Sequence, residues 1–455
     1  MDAASECGSR RACRRASEDR QIAFERSSDW AMTAVERDLR KGWCPGVHRP
    51  MQTGDGLIVR IRPRCGALEV SDLAAIAGLA QRYGNGLIDL TRRSNVQLRG
   101  LTQESLPGLW HELDGLGLSD DSEAAEAARN VMVSPLAGLD PAEVTDVRAL
   151  ARELEGKLSR RALDINIPGK FGFIVDGGGC LPLDAEVADI RLRAVSAATG
   201  VRIAIGVDRP DGVRWLRQET PDTAVAAAID LAAGFGRLTR GRSGARMARL
   251  SDAEAADVAG VLDGVGEPVT AVERRNSRQT LGTVVSGGAI IAVGMAAPFG
   301  RLEAEGLARL AGGALALGVS ELRVSPWRSV YAPARDAASA AALEALARDC
   351  GLIVATDDPL VSIDACPGAP SCASAKVNTR AAARALAPYL TQLGCATAHV
   401  SGCSKGCARS KAADVVLVGE DGRFRVVFRG NVQDPAVGTL SPDKIQDLLS
   451  LPRVF

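Results

Sequence analysis

Alternating apolar and polar residues near the start of the chain predict a strand, a helix and a second strand. Within residues 57–62 the odd positions are apolar and the even positions include Arg60 and Arg62, which is the period of a β-strand with one polar side. Residues 71–83 carry apolar side chains at the spacing of a helix. Residues 87–100 (LIDLTRRSNVQLRG) then predict the second strand.

The second strand has hydrogen-bonding side chains at alternate positions, which share one face of a continuous strand. These residues are Arg93, Asn95, Gln97 and Arg99. A solvated edge strand would have the same pattern. Further cations favour a ligand, because arginines crowded on one side of a strand pair repel each other without an anionic partner. The further cations are Arg60, Arg62, Arg129 and Lys170. The pattern therefore predicts a polycarboxylate site.

The same pattern recurs in the second half of the chain. GALEVSDLAAIAGLA from Gly66 aligns with GRLEAEGLARLAGGA from Gly300 at an offset of 234 residues, and a repeat of this length indicates a duplicated domain. Further along, Ser134 aligns with Cys366 and Lys170 aligns with Cys403. We predict an α+β protein of two related halves, with ferredoxin-like half-domains built jointly by both copies and two mixed α/β domains.

The predicted organisation begins with a polar, arginine-rich leader that lacks the apolar core of a secretory signal. The uncharged window 282–300 is diluted by glycines, so a buried strand is expected there and not a membrane span. The limits are 1–38 for the leader, which is expected to be disordered, 39–112 and 266–340 for the ferredoxin-like half-domains, and 113–265 and 341–455 for the α/β domains.

The charge balance argues against some classes of binding partner, and the cysteine content indicates the cellular compartment. The chain has 55 Lys plus Arg and 55 Asp plus Glu, so no overall field attracts nucleic acid or an anionic membrane. Eleven cysteines without an export signal favour a reducing compartment, the cytoplasm, where clustered thiols bind metal more often than they form disulfides. Seven cysteines, Cys44 among them, are scattered and are expected to be structural.

The other four cysteines occur in two loops rich in glycine and proline. They are Cys366, Cys372, Cys403 and Cys407. Their spacing matches neither a compact ferredoxin run nor a zinc knuckle, and it suits two loops that converge. Each loop is expected to lead into a helix whose first N–H groups face an anionic cluster. An iron–sulfur cluster is favoured over zinc, and over unliganded or disulfide-bonded thiols.

The cysteine pattern and the basic strand resemble the sirohaem nitrite and sulfite reductase family. The resemblance implies a duplicated nitrite/sulfite reductase-like architecture with a 4Fe-4S cluster on the four cysteines, of which Cys407 would also bridge to sirohaem iron. The family motifs match at Thr91, Arg93, Asn95, Gln97, Arg129 and Lys170. Two positions depart from them: Ser94 replaces a glutamine, and Gly172 replaces a second lysine that would compensate charge during sulfite or nitrite reduction.

Within that family, residues 42–419 look most like the precorrin-3B synthases of aerobic cobalamin biosynthesis. The resemblance implies that the metal-free tetrapyrrole precorrin-3A is the substrate, that dioxygen and a reductant hydroxylate it and close a lactone, and that a mononuclear non-haem iron accompanies the cluster. It implies catalytic roles for Arg93, Arg129 and Lys170, and substrate contacts for Arg60, Arg62, Thr91, Asn95, Gln97, Arg99 and Lys405.

Two other functions remain open at this stage. One is an assimilatory sulfite or nitrite reductase that carries sirohaem, and the other is an electron carrier or tetrapyrrole-binding scaffold without chemistry. No dinucleotide-binding fingerprint is present, so electrons are expected from a separate ferredoxin or NAD(P)H-dependent reductase. Ligands for a mononuclear iron are not evident among the three histidines, of which His48 is the best candidate.

Overall fold

Four five-stranded sheets and the helices packed on them make up the described part of this computed structural model. Within the unit Gly42–Phe455, the structure describes residues 44–242, 244–264, 266–269, 272–275, 279–409 and 411–451. The predicted leader, residues 1–38, lies outside the described residues.

The strands, numbered in chain order, are β1 Met51–Thr53, β2 Gly56–Ile61, β3 Ala67–Glu69, β4 Leu87–Leu90, β5 Val96–Leu101, β6 Val131–Val133, β7 Phe173–Asp176, β8 Ile190–Ala197, β9 Gly200–Arg209, β10 Gly212–Glu219, β11 Gly282–Ser286, β12 Ala289–Ala296, β13 Arg301–Glu303, β14 Glu321–Val324, β15 Ser329–Pro333, β16 Ile363–Ala365, β17 Ala398–Ser401, β18 Ala413–Glu420, β19 Arg423–Gly430 and β20 Gly438–Leu440. The α-helices are α1 Val70–Tyr83, α2 Leu106–Gly115, α3 Glu123–Ala128, α4 Arg148–Arg160, α5 Ala162–Ile165, α6 Pro221–Leu238, α7 Asp252–Ala259, α8 Ala304–Ala316, α9 Ala337–Asp349 and α10 Thr379–Leu386.

Two of the sheets exchange a short strand between the halves of the chain. The first sheet has the order β1-β2-β5-β4-β13 and the second has the order β11-β12-β15-β14-β3, so each includes one strand from the other half. Helices α1 and α8, which follow the exchanged strands, pack against each other. The prediction of ferredoxin-like halves built jointly by both copies is confirmed. The predicted domain limits stay a prediction.

The duplication is visible in the backbone as well as in the sequence. Cys65 and Phe299, which are 234 residues apart, both adopt left-handed φ angles, of 51° and 56°. Ser94 and Arg328 form a second such pair, with φ angles of 54° and 61°. Because a non-glycine residue adopts this conformation only where its surroundings require it, the shared positions show that both halves use the same turns.

The predicted single strand 87–100 is wrong. The segment is a hairpin in which β4 and β5 are joined by residues 91–95, and the Thr91 N–H donates to the Asn95 carbonyl at 2.9 Å. The left-handed Ser94 turns the chain, so Arg93 and Asn95 lie in the connecting loop while Gln97 and Arg99 lie on β5. Polar residues recur at every second position through residues 91–95, so the sequence pattern does not reveal the turn.

The predicted helix 71–83 is confirmed as α1, and the apolar window 282–300 contains strands β11 and β12, as expected. No helix in the described ranges has the length and apolar character needed to cross a membrane.

The other two sheets have the same topology as each other. Their orders are β6-β7-β8-β9-β10 and β16-β17-β18-β19-β20, and in both the first three strands are parallel and the last pairings are antiparallel. β7 therefore corresponds to β17. The alignment of Lys170 with Cys403 is wrong, because Lys170 precedes β7 whereas Cys403 follows β17. The counterpart of the second cysteine loop is the glycine-rich loop 177–189.

Candidate functional site

The four cysteines predicted to hold a cluster lie in loops at one edge of the fourth sheet. Strands β16 and β17 are parallel neighbours, so Cys366 and Cys403 emerge at the same edge of the sheet. Burial raises the pKa of the Cys407 thiol, and Cys366, Cys403 and Cys372 raise it further, so the other three thiols act electrostatically on this one. The two cysteine loops therefore meet at this edge, and that the four thiols hold a cluster stays a prediction.

The chemistry of this donor set fits a cluster better than a single ion. In the ranges that the structure describes, no group of three or more His, Cys, Asp or Glu side chains is arranged to hold one metal ion. A 4Fe-4S cluster takes one thiolate on each iron, so its four cysteines need not converge on a single point. The Gly402 N–H donates to the Cys366 sulfur at 3.1 Å, and such bonds stabilise the thiolate form that ligates iron.

The cluster loops depart from the sequence-based prediction in one respect. The first loop reaches helix α10 only at Thr379, and the second leads into strand β18 and not into a helix. Backbone N–H groups for the sulfurs therefore come from loop glycines such as Gly402. Lys405 lies between two ligands and donates to the Ser374 hydroxyl of the other loop at 2.8 Å, which ties the two loops together.

A buried ion network attaches the first cysteine loop to the first sheet. Asp89 on β4 accepts hydrogen bonds from Arg99 at 3.0 Å, from Arg301 at 2.9 and 3.1 Å, and from Arg380 at 3.3 Å. Arg99 also donates to the carbonyl of Ser371, the residue before Cys372, at 3.1 Å. Although burial raises the pKa of Asp89, the three arginines lower it to about 2.

Arg99 is therefore occupied by protein groups. Its Nε and Nη2 atoms donate to the two carboxylate oxygens of Asp55 at 3.0 and 2.7 Å, in addition to its bond to Asp89. The side chain is 2% exposed. Its predicted contact with a substrate is replaced by a role in holding the cysteine loop. Nothing in the local sequence distinguished Asp55 and Asp89 as its partners.

Arg129 and Arg62 also have carboxylate partners inside the protein. Arg129 donates to both oxygens of Asp120 at 2.8 Å and to the Arg62 carbonyl at 2.9 Å. Arg62 donates to the Glu126 carbonyl and lies 3.8 Å from the carboxylate of that residue. The prediction that the arginines need an external anion is thus wrong for Arg99 and Arg129, because buried carboxylates of the protein compensate their charges. Arg62 is compensated only partly, since its Nε atom has no hydrogen-bond partner among the described residues.

A second group of cations acts electrostatically on Cys44, one of the scattered cysteines for which the sequence predicts a structural or unconstrained role. Burial raises the pKa of this thiol, but four cations outweigh that effect and lower it. The cations are Arg60, Arg93, Arg62 and Lys170. Arg93 Nη1 and the Nε atoms of Arg60 and Arg62 are buried and make no hydrogen bond within the described part of the protein. We call these four residues and Cys44 the basic pocket.

The polar residues of the β4–β5 hairpin border the basic pocket. Thr91 closes the hairpin, since its hydroxyl accepts from the Arg93 and Asn95 N–H groups, both at 3.2 Å. Gln97 accepts from Arg60 at 3.1 Å. Asn95 is 5% exposed, and its Nδ2 has no partner among the described residues. The pocket thus keeps buried donors that a carboxylate could satisfy.

The structure gives a reason why position 172 is a glycine and not the lysine expected from the family motif. A Cβ at this position would lie 3.0 Å from Arg93 Nη1 and 3.4 Å from Asn130 Nδ2. Arg93 itself is held by a 2.8 Å bond from Nη2 to the Lys170 carbonyl. A side chain here would therefore require the Arg93 guanidinium to shift by a few tenths of an ångström, and the glycine leaves the guanidinium its place.

The β4–β5 hairpin and the β1–β2 turn contact the segment that carries the first two of the four cysteines. Arg92, next to Arg93, forms an ion pair with Asp364, which lies two residues before Cys366. A Cβ on Gly54, in the β1–β2 turn, would lie 2.9 Å from the carbonyl carbon of Cys372. The first half of the chain therefore packs against the loop that carries Cys366 and Cys372.

The histidines do not assemble a site for a mononuclear iron. His48 Nε2 lies 2.5 Å from the Asp120 carbonyl oxygen, and its ring packs edge-on near Trp110. His399 is buried on strand β17 of the fourth sheet, and burial lowers its pKa to about 4. Since the described residues contain no three-ligand group, the expected mononuclear iron has no ready ligand set in this arrangement.

The protein has the nitrite and sulfite reductase fold. Two ferredoxin-like sheets exchange a strand, four cysteines lie in loops at one edge of the fourth sheet, and the basic pocket lies in the first half of the chain. A family model for the nitrite/sulfite reductase ferredoxin-like half domain matches residues 49–116. The structure of the Mycobacterium tuberculosis NirA protein superposes with a TM-score of 0.66 over 86% of this chain and 79% of that chain, at 21% identity.

Sequence comparison is more specific. A precorrin-3B synthase from Sinorhizobium sp. is 33% identical over 401 residues, which are 86% of this chain and 83% of that protein. A ferredoxin–nitrite reductase from Synechococcus elongatus is 35% identical over 176 residues, but these are only 34% of that protein, and the chloroplastic enzyme of Zea mays is 24% identical over 433 residues. The chain belongs to the precorrin-3B synthase family, whose wider relatives are oxidoreductases.

Proposed function

We propose that this protein is a precorrin-3B synthase, an oxidoreductase of the monooxygenase type. The observation that carries the proposal is the 33% identity to a precorrin-3B synthase over most of both chains, compared with 24% to a nitrite reductase over a similar length. In the proposed reaction, one atom of dioxygen is added to precorrin-3A, and the other is released as water with two electrons from the reductant and two protons. An acetate side chain then closes into a lactone.

The basic pocket supports a polycarboxylate substrate. Arg60, Arg93 and Lys170 would bind carboxylates of the macrocycle, and the unpartnered Nδ2 of Asn95 would orient one of them. Arg129 would act indirectly, by positioning the backbone of Arg62 through its 2.9 Å bond. Each buried donor that gains a charged acceptor would contribute about 1.5–3 kcal/mol to binding.

The four cysteines support a 4Fe-4S cluster, which when bound would supply single electrons beside the pocket. Electrons would come from a separate ferredoxin or NAD(P)H-dependent reductase, and the reaction would take place in the cytoplasm. Gly172 supports the synthase over a sirohaem reductase, because the second ammonium that oxyanion reduction uses is missing at this position.

The proposal is tested by turnover. Anaerobically purified protein should be mixed with precorrin-3A, a reduced donor and isotopically heavy dioxygen, and the product analysed by mass spectrometry. We expect one heavy oxygen atom in a lactone product, and a visible spectrum of a cluster without sirohaem bands. Sirohaem bands together with nitrite or sulfite reduction would contradict the proposal.

Arg93→Gln should weaken binding of a polycarboxylate tetrapyrrole by about 10- to 100-fold, the equivalent of one charged hydrogen bond or two. Uroporphyrin is a suitable probe, and its affinity can be measured by absorbance titration. Arg309→Gln is the matched control, because Arg309 is an exposed arginine on α8 that pairs with its helical neighbour Glu305 and donates to the Asp349 carbonyl at 3.5 Å. Equal affinities of the two variants would show that the pocket does not hold the macrocycle.

A further inference from the structure

The turn 168–172, which carries Lys170, is fastened to the protein through its backbone carbonyls. The Lys170 carbonyl accepts from Arg93 Nη2 at 2.8 Å. The Phe171 carbonyl accepts from Asn130 Nδ2, also at 2.8 Å. Lys170 and Arg93 belong to the basic pocket, so the place of this turn decides where two cations of the pocket lie.

Asp189 holds the end of this turn with two hydrogen bonds. Its N–H donates to the Gly172 carbonyl at 2.7 Å, and its Oδ2 accepts from the Gly172 N–H at 3.0 Å. Gly172 and Asp189 directly precede β7 and β8, which are parallel neighbours in one sheet. The Asp189 side chain is fully buried. The turn is therefore tied to the start of the next strand by a carboxylate that water does not reach.

The charge of this carboxylate is compensated from a third segment of the chain. Arg246 Nε lies 3.0 Å from both oxygens of Asp189, and Arg246 Nη2 lies 2.9 Å from Oδ2. The Met247 N–H donates to Oδ1 at 2.8 Å. A buried carboxylate with donors on both oxygens is held in one orientation, because any rotation would leave a buried donor without its acceptor.

The second half of the chain contains the same device at a different place. Asp189 and Asp414 are equivalent residues of the aligned stretches ADIRL and ADVVL. Asp414 Oδ2 accepts from the Ala396 and Thr397 N–H groups, both at 2.9 Å. Thr397 directly precedes β17, as Gly172 directly precedes β7. Both halves thus fasten the start of a strand with a carboxylate, and in the first half the fastened turn carries part of the basic pocket.

We propose that Asp189 is a positioning residue for the basic pocket, which together with Arg246 fixes the turn 168–172. In this arrangement Lys170 and Arg93 are placed to bind carboxylates of the tetrapyrrole substrate. The binding of carboxylates rests on the proposed function, whereas the fixing of the turn does not. Asp189 acts through the backbone of the turn, since its own carboxylate is buried and occupied by protein donors.

Asp189→Asn tests the effect of this carboxylate on ligand binding. The substitution keeps the size of the side chain but leaves one acceptor oxygen, so the N–H groups of Gly172 and Met247 cannot both keep their acceptor. The affinity of the holoenzyme for uroporphyrin, measured by absorbance titration, should fall by about tenfold, the equivalent of one hydrogen bond of a charged group. An unchanged affinity would overturn the proposal.

Asp414→Asn is the matched control for this experiment. It removes the equivalent carboxylate at the start of β18, where the fastened residues, Ala396 and Thr397, lie outside the basic pocket. Both variants should lower the thermal unfolding midpoint, but Asp414→Asn should leave the affinity for uroporphyrin unchanged. Equal losses of affinity in the two variants would show that Asp189 has only a general structural role.

A double-mutant cycle with Arg93→Gln tests whether Asp189 acts through the pocket. If Asp189 places the Arg93 guanidinium, Asp189→Asn should weaken uroporphyrin binding by a smaller factor in the Arg93→Gln protein than in the wild type. Losses that multiply independently would contradict the proposal, because they would mean that the two residues affect binding by separate routes.

Arg246→Lys is a milder second variant, for use if Asp189→Asn does not fold. Lysine keeps the positive charge beside Asp189 but lacks the planar guanidinium that bonds both carboxylate oxygens. Its affinity for uroporphyrin should fall in the same direction by a smaller factor. Unchanged affinity, together with unchanged hydrogen exchange of the turn, would overturn the proposal.

Hydrogen–deuterium exchange measures the fixing of the turn without a ligand. Asp189→Asn should speed exchange in peptides that contain residues 168–173, whereas Asp414→Asn should speed it in peptides that contain residues 396–398. Unchanged exchange of residues 168–173 in Asp189→Asn would overturn the proposal. Faster exchange there, with a wild type that does not bind uroporphyrin, would contradict the proposed substrate site and support the role of Asp189 in fixing the turn.

Discussion

Cys403→Ala should abolish the visible absorbance of an iron–sulfur cluster and bring iron and sulfide in the anaerobically purified protein close to zero. Cys403 follows β17 at the same edge of the sheet as Cys366, and it is one of the four thiols proposed to hold the cluster. A cluster that loses one of four thiolates exposes an iron to solvent and is destroyed. Iron and sulfide analysis with absorbance and electron paramagnetic resonance would measure the loss.

Cys395→Ala is the control for this experiment. Cys395 lies just before the same strand, β17, and is half-buried, but its sulfur lies 3.5 Å from the Leu393 carbonyl and not with the other thiols. The control should keep its full iron content and absorbance. Full iron content in Cys403→Ala, or equal losses in both variants, would contradict the assignment of the cluster to these four cysteines.

Asp89→Asn should destabilise the protein by about 3–5 kcal/mol at neutral pH, because it leaves three arginines without the carboxylate that compensates them. Arg99, Arg301 and Arg380 all donate to this side chain, which is 7% exposed. Iron retention should fall as well, because Arg99 also holds the Ser371 carbonyl beside a cluster ligand. Thermal unfolding midpoints and iron content of the two proteins would measure both effects.

The destabilisation caused by Asp89→Asn should become smaller as the pH falls. The pKa of Asp89 is lowered from 3.8 to about 2, so its contribution to stability is fully present above pH 3.8 and is lost as the pH falls toward 2. The difference between wild type and Asp89→Asn should therefore shrink in acid. Asp146→Asn is the control, since Asp146 and its partner Arg148 are partly exposed and such pairs contribute about 0–1 kcal/mol. Similar losses in the two variants would contradict the importance of the network.

The meeting of the two cysteine loops and the duplication could be predicted because each has a signal within a short stretch of sequence. Four cysteines in two turn-rich loops predicted loops that converge, and the helix and strand motifs repeat at a constant offset. The hairpin at residues 91–95 could not be recognised, because alternation of residue types continued across it and its turn depends on the left-handed backbone of Ser94. The alignment of Lys170 with Cys403 failed because similar glycine-containing loops occur on both sides of a strand.

The amino-acid sequence alone determined the types of chemical group that this protein offers: thiols in pairs, cations on neighbouring strands, and two copies of one α+β pattern. Only the tertiary structure decided which cations are available to a ligand. Arg99 and Arg129 are neutralised by Asp89 and Asp120, whereas Arg60 and Arg93 each keep a buried nitrogen without a hydrogen-bond partner among the described residues. The physical reason is that charge compensation depends on distance, and the compensating carboxylates are placed by the paths of other strands and loops.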